Sequence, residues 1–203
     1  MDAYQSQTND GTLNATAPIR GVWNGEFDDE TSETHLGNMY TFWGDLFETG
    51  VTLMEGTTQI TSFDTKFTTP NGDTRYDILK GNEFIECKNY GTKNLEKPFS
   101  ATFKKQFVGY LMNISSMNAL KYYFKARYKQ TTSTETEFKD IIKENFQKVF
   151  RADNYKIFDT IWNNQALRDV LFPGEDIKDE GEIAFIDLVN NFNSSLYSFI
   201  NIK

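Results

Sequence analysis

The sequence predicts an α/β fold, and three observations carry that expectation. Two β-type runs meet at a two-residue turn, Gly81-Asn82; helix-spaced stretches stand before and after that hairpin; and an alternating run, "LKYYF", follows the second of them. With 203 residues and 38% hydrophobic content the chain can bury one sizeable core, so residues 21–203 are expected to form a single domain. Residues 1–20 are polar and without periodicity, and are expected to be a tail or the end of a linker.

Taken in order, "ETHLGNMYTFWGDLFE" places Leu36, Met39, Tyr40, Trp43, Leu46 and Phe47 at helical spacing, and Gly50 is the expected stop. "TQITSFDTKFTT" alternates as a strand does, and Pro70-Asn71-Gly72-Asp73 is turn chemistry leading into the hairpin. Beyond the hairpin, Phe99, Phe103, Phe107, Tyr110, Leu111 and Ile114 form one helical stripe ahead of the "LKYYF" strand. Thr134-x-x-Glu137 is a capping pattern that opens an amphipathic helix running to Arg151. Further helices are expected near Tyr155–Leu171 and Glu180–Ile200, separated by Pro173-Gly174.

The hairpin carries the chemistry. If Gly81-Asn82 is the loop, Lys80 pairs with Glu83, Leu79 with Phe84, Ile78 with Ile85, and Asp77 with Glu86. The strand period then groups Arg75, Asp77, Phe84, Glu86 and Lys88 on a chemical face, and Tyr76, Ile78, Ile85 and Cys87 on a core face. Two opposed carboxylates about 5 Å apart repel by on the order of 3 kcal/mol at an effective dielectric of about 20. Arg75 and Lys88 could offset this as ion pairs. A divalent cation could do so too, because Mg²⁺ takes a few carboxylate oxygens and keeps positions open for water and phosphate. The Glu86-x-Lys88 order favours the cation, since it sets one ammonium where it can orient an attacking water or meet charge developing on phosphorus.

Net charge is −8, but it is segregated. Gly21–Thr65 contains no Lys or Arg, whereas Lys88–Lys129 carries nine against the single acid Glu96, a net of +8. Lys104, Lys105, Lys121 and Lys125 are therefore expected to line a phosphate-binding groove beside Glu86 and Lys88. One histidine, His35, and one cysteine exclude a Cys/His zinc site, and there is no phosphate-loop glycine motif. The lone Cys87 suits a reducing compartment and reads as a small buried hydrophobe. No apolar run approaches the roughly 20 residues that cross a bilayer, and no leader pattern opens the sequence.

Asp77, followed after a hairpin by Glu86-Cys87-Lys88, resembles the metal-binding core of the PD-(D/E)XK nuclease superfamily. Gln106-Phe107-Val108-Gly109-Tyr110 is similar to the Gln-x-x-x-Tyr motif of its RecB-like branch, and the "LKYYF" strand follows in the expected order. Arg75-Tyr76 stands where the namesake proline is expected. The resemblance covers roughly Glu33–Arg151. It implies a restriction-endonuclease-like mixed central sheet flanked by helices, with extra C-terminal helices. It also implies metal-dependent hydrolysis of DNA, ahead of RNA, with Mg²⁺ or Mn²⁺ on Asp77, Glu86 and the Cys87 backbone carbonyl. Lys88 and Gln106 would be catalytic, Tyr110 would contact substrate, and Glu48 would be the acid of the first helix, with Asp45 and Glu55 behind it. The chain also looks like the C-terminal toxin module of a bacterial antagonism protein, delivered into the cytoplasm of a target cell and met by a cognate immunity protein. A restriction or repair endonuclease, and a catalytically silent interaction domain on the same fold, are the alternatives.

Overall fold

The computed structural model describes residues 32–69, 72–89, 99, 101–125, 134–152, 155, 163–175 and 181–203. Its elements are α1 (Ser32–Glu55), β1 (Ile60–Thr69), β2 (Gly72–Lys80), β3 (Glu83–Lys88), α2 (Ala101–Leu111), β4 (Leu120–Phe124), α3 (Glu135–Arg151), α4 (Gln165–Leu171), α5 (Gly181–Asn190) and β5 (Ile200–Ile202). The five strands form one mixed sheet in chain order. β1, β2 and β3 are antiparallel neighbours, and β3, β4 and β5 run parallel. The parallel β3–β4 pair requires a crossover, and α2 lies within it. The fold is thus the expected α/β arrangement. No helix among the described residues is long and apolar enough to cross a membrane.

Helices cover both faces. On one, Val51 of α1 packs with Ile60, Phe63, Ile78, Ile85 and Tyr123. On the other, all six residues of the predicted aromatic stripe are buried with Phe84, Tyr122 and Phe124. Phe107, Phe146 and Phe199, from α2, α3 and the turn before β5, meet with ring centroids 5.3–5.6 Å apart. That aromatic mass clamps α2 onto the sheet and fixes where Gln106 and Tyr110, on the same helix, can point. The division into one core face and one chemical face is corrected accordingly: Leu79 and Phe84 are core neighbours too.

Boundaries differ from expectation at four places, one being the helix expected near Tyr155–Leu171, which begins only at Gln165 with Asn164 as its N-cap, residues 156–162 lying outside the described residues. α1 does not stop at Gly50 but runs to Glu55, with Gly56 at φ 79° as its break. A helical glycine costs about 1 kcal/mol against alanine, less than is gained by burying Val51, which is 2% exposed. Gly72 and Asp73 belong to β2, paired with Thr69 and Thr68; Pro70 and Asn71 lie outside the described residues. The segment near 180–200 is not one helix. α5 ends at Asn190, a 3₁₀ turn covers Ser195–Phe199, and Ile200–Ile202 is a sheet strand too short to show alternation in sequence. At α3 the expected capping box is present, with Thr134 Oγ1 accepting from the Glu137 amide and Glu137 accepting from the Thr134 amide.

Beneath the C-terminal end of α1 lies a polar network that the sequence did not announce. Glu55, with an 8%-exposed side chain, accepts hydrogen bonds from Lys80, Lys121 and the Tyr123 hydroxyl, and Lys80 Nζ also reaches the Glu55 main-chain oxygen. Burial alone would raise the Glu55 carboxyl, but Tyr123, Lys80 and Lys121 together hold it below its usual value. Glu55→Ala leaves the partly buried Lys80 ammonium without a carboxylate, while Lys121 keeps Glu83, so it is expected to destabilise the fold by about 2 kcal/mol. Urea denaturation of both proteins at equal m-value is the check.

Candidate active site

β3 ends in Glu86-Cys87-Lys88, and the strand period sends Glu86 and Lys88 toward α2 and Cys87 toward α1. The β2–β3 ladder keeps the predicted register through Lys80↔Glu83, Leu79↔Phe84 and Ile78↔Ile85. There it opens. Asp77 is not laddered opposite Glu86; its Oδ2 accepts the Cys87 backbone N–H at 2.6 Å. The cause lies in β1, where Asp64 adopts φ 49°, a left-handed conformation that aspartate tolerates better than most residues. The β1–β2 ladder passes from Phe63↔Ile78 to Thr65↔Tyr76 without an Asp64–Asp77 pair. Phe63 and Ile78 pack on the α1 side, while Phe67 and Tyr76 pack on the α2 side, so the strand pair turns over at Asp64. Tyr76, expected beside Ile78, instead meets the Phe84 ring at 5.4 Å.

Glu86 is 1% exposed and fully engaged. Lys88 is ion-paired to its Oε2. Its Oε1 receives Gln106 Nε2 at 3.1 Å and the Tyr110 hydroxyl. Gln106 and Tyr110 are four apart on α2 and therefore share a face, with 2.9 Å between their polar atoms. Both also lie against the Arg75 carbonyl oxygen, at 2.5 and 2.6 Å. Burial raises the Tyr110 phenol well above its ordinary range, and neighbouring Glu86 adds to that, so it remains a neutral donor. Tyr110 is 0% exposed. Its expected substrate contact is therefore corrected: it supports the Glu86 carboxylate from within the core.

Burial pushes the Glu86 carboxyl up to about 7, Asp77 adds to the rise, and Lys88 and Tyr110 oppose it. An ion pair with lysine ordinarily lowers a carboxyl; complete burial outweighs it here. Glu48 is raised further, to about 9, by burial first and then by Asp77, Asp45, Asp64 and Glu86. The first-helix acid expected from the sequence thus lies within the electrostatic reach of Asp77 and Asp45, whereas Glu55 belongs to the separate network above. Cys87 packs against the α1-side cluster, and burial raises its thiol well above the ordinary value.

A carboxyl whose folded pKa exceeds its unfolded value of 4.5 binds its proton more tightly in the folded state. Stability from Glu48 therefore falls as pH rises from about 4.5 to about 9, and Glu86 steepens the fall up to about 7. Glu48→Gln, neutral throughout, is expected to raise Tm at pH 8 by at least about 4 °C and to flatten the decline between pH 5 and 9 in metal-free buffer. Thermal melts of the two proteins across that range test it.

The lysines do not form one surface. Lys104 and Lys105 lie on α2, the first half-buried and the second exposed. Lys121 turns to the α1 side, 2.9 Å from Glu83 and 3.2 Å from Glu55. Lys125 lines a groove of about 210 Å³ with Leu46, Phe47 and Val51 of α1. The expected single groove beside Glu86 is thus split across two sides of the sheet, because Lys121 and Tyr123 alternate with the α2-facing Tyr122. Lys93, Lys97, Arg127 and Lys129 lie outside the described residues.

Compared with protein-family models, curated proteins and solved structures, the chain matches none. What the site can do therefore rests on its own chemistry. Glu48 Oε1 is buried with no hydrogen-bond partner among the described residues, within the fields of Asp77, Asp64 and Glu86. Carboxyl oxygens are hard donors of the kind that Mg²⁺ or Mn²⁺ takes. Among the described residues no three His, Cys, Asp or Glu side chains already converge as a metal-holding group; Glu86 and Asp77 are held by Lys88, Gln106, Tyr110 and the Cys87 amide. Asp64 and its ion-pair partner Arg75 were not singled out from sequence as a functional pair. The signal available was an acid in mid-strand, within "TSFDTKF".

Proposed function

We propose that the chain is a divalent-metal-dependent endonuclease of the PD-(D/E)XK type, hydrolysing phosphodiester bonds in DNA ahead of RNA. One observation carries the reading: Asp77, Glu86, Lys88, Gln106 and Tyr110, picked out by motif, gather where the hairpin ladder opens, with Glu48 within the field of Asp77 and Glu86. Asp77, Glu86 and the Cys87 carbonyl would hold Mg²⁺ or Mn²⁺, which when bound supplies Lewis-acid charge to phosphoryl oxygens. Lys88 orients the attacking water or meets the charge that develops on phosphorus. Gln106 and Tyr110 fix the Glu86 carboxylate from the α2 side, and Glu48, which keeps its proton up to about 9 without a cation, would supply a further carboxyl oxygen within the field of Asp77. The biological role we propose is a delivered toxin module that acts in a target-cell cytoplasm and is neutralised by an immunity protein; a restriction or repair endonuclease would use the same chemistry.

The closed hydrogen bonding around Glu86 and the dispersed lysines favour a second reading, a catalytically silent interaction domain on this fold. Incubating the purified chain with supercoiled plasmid and with total RNA, in Mg²⁺ and in chelator, separates the two. The nuclease reading expects nicking or degradation in Mg²⁺ alone; intact substrates in both buffers leave the interaction domain.

A further inference from the structure

Among the contacts of the Lys88 ammonium are two of different kinds. One is the ion pair with Glu86 Oε2. The other is the ring of Tyr122, whose centroid lies 5.6 Å from Nζ, within cation–π range. Tyr122 is the β4 residue paired with Glu86, so both side chains project to the α2 side. Its ring is 0% exposed and is held by Phe103 at 6.0 Å and Phe199 at 5.2 Å, while its hydroxyl is buried without a partner among the described residues. A ring fixed in this way keeps its position whatever Glu86 does. The Glu86 carboxylate does not offer that: a cation held there competes with Lys88 for the same oxygens.

We infer that Tyr122 is a positioning residue for the reaction proposed above, its ring face keeping the Lys88 ammonium at the site when the Glu86 carboxylate is engaged by a metal ion. The inference rests on the nuclease reading, and its test is built so that the two can fail separately. The hydroxyl has no part in it, so Tyr122→Phe is expected to keep kcat within about twofold of wild type. Tyr122→Leu removes the ring and is expected to lower kcat by about tenfold to thirtyfold at unchanged KM, the equivalent of one desolvated cation–π contact. In a Lys88→Ala background, Tyr122→Leu should cause no additional loss of kcat, whereas a merely structural role would multiply the two effects. A second readout needs no activity. In protein labelled with [¹³C]lysine, the Lys88 Cε–H signal, assigned by its absence from Lys88→Ala, should be shifted upfield by the ring current. The shift should persist in Tyr122→Phe and on addition of Mg²⁺.

The inference is overturned if Tyr122→Phe loses as much turnover as Tyr122→Leu, if Tyr122→Leu keeps full kcat, or if its loss multiplies that of Lys88→Ala. Should Tyr122→Leu fail to fold, an unshifted Lys88 signal in the wild type, or one that reverts with Mg²⁺, overturns it equally. A wild type that cleaves neither plasmid nor RNA counts against the nuclease reading, while the ring contact stands or falls on the lysine spectrum.

Discussion

Glu86→Gln is expected to bring metal-dependent cleavage down by about 1000-fold or more, since a Lewis-acid ion contributes several kcal/mol and a neutral amide holds it poorly. Glutamine matches the size of the native side chain, and its Oε1 can still accept from Gln106 and Tyr110, so the α2 contact survives. Two stability effects oppose each other: repulsion with Asp77 disappears, and Lys88 loses its counter-charge. Tm is therefore expected to move by only a few degrees while activity collapses. Asp77→Asn should behave similarly, because its amide oxygen can still accept the Cys87 N–H. Cleavage rates measured beside thermal melts decide this; loss of activity that merely follows unfolding would contradict it.

Lys88→Ala is expected to lose about 100-fold or more in turnover while the metal ion still binds. Lys88 lowers the Glu86 carboxyl by its charge and its hydrogen bond, so its removal drives that carboxyl above about 7 and leaves it more protonated at neutral pH. Metal affinity of the variant should therefore be weaker than wild type at pH 7 and improve at higher pH, where Mn²⁺ titration calorimetry can read it. Turnover should not recover there with it. Full turnover at saturating Mn²⁺ would mean that the Glu-x-Lys order carries no catalytic role.

Local features were the most legible in sequence. The hairpin register followed from Gly81-Asn82 alone, since a two-residue loop leaves one pairing, and Gly81 does adopt φ 57°. Thr134 and Glu137 announced the α3 cap, and the apolar stripe from Phe99 to Ile114 is buried at all six positions. What escaped was set by longer-range competition. Gly50 has the form of a helix stop, but burial of Val51 one residue later carries α1 through it. Ile200–Ile202 is too short to display a period and becomes a strand because β4 offers it an edge. At the site, sequence spacing gave the membership of the cluster but not its wiring. The left-handed Asp64 turns the strand pair over, which opens the ladder at Asp77 and swings Tyr76 toward Phe84. The charge count showed nine cations in one stretch of chain, yet strand alternation sends Lys121 to Glu55 and Glu83, where it binds protein instead of phosphate.

If a metal-dependent phosphodiesterase centre is built on Glu86, a plasmid-cleavage time course reads it directly for wild type and Glu86→Gln, purified in parallel and assayed with Mg²⁺, Mn²⁺ or chelator. Nicking is expected from the wild type with either metal and not in chelator, and no detectable nicking from Glu86→Gln in any buffer. Equal cleavage by the two proteins would place the activity elsewhere, and no cleavage by the wild type with either metal would rule out a metal-dependent nuclease.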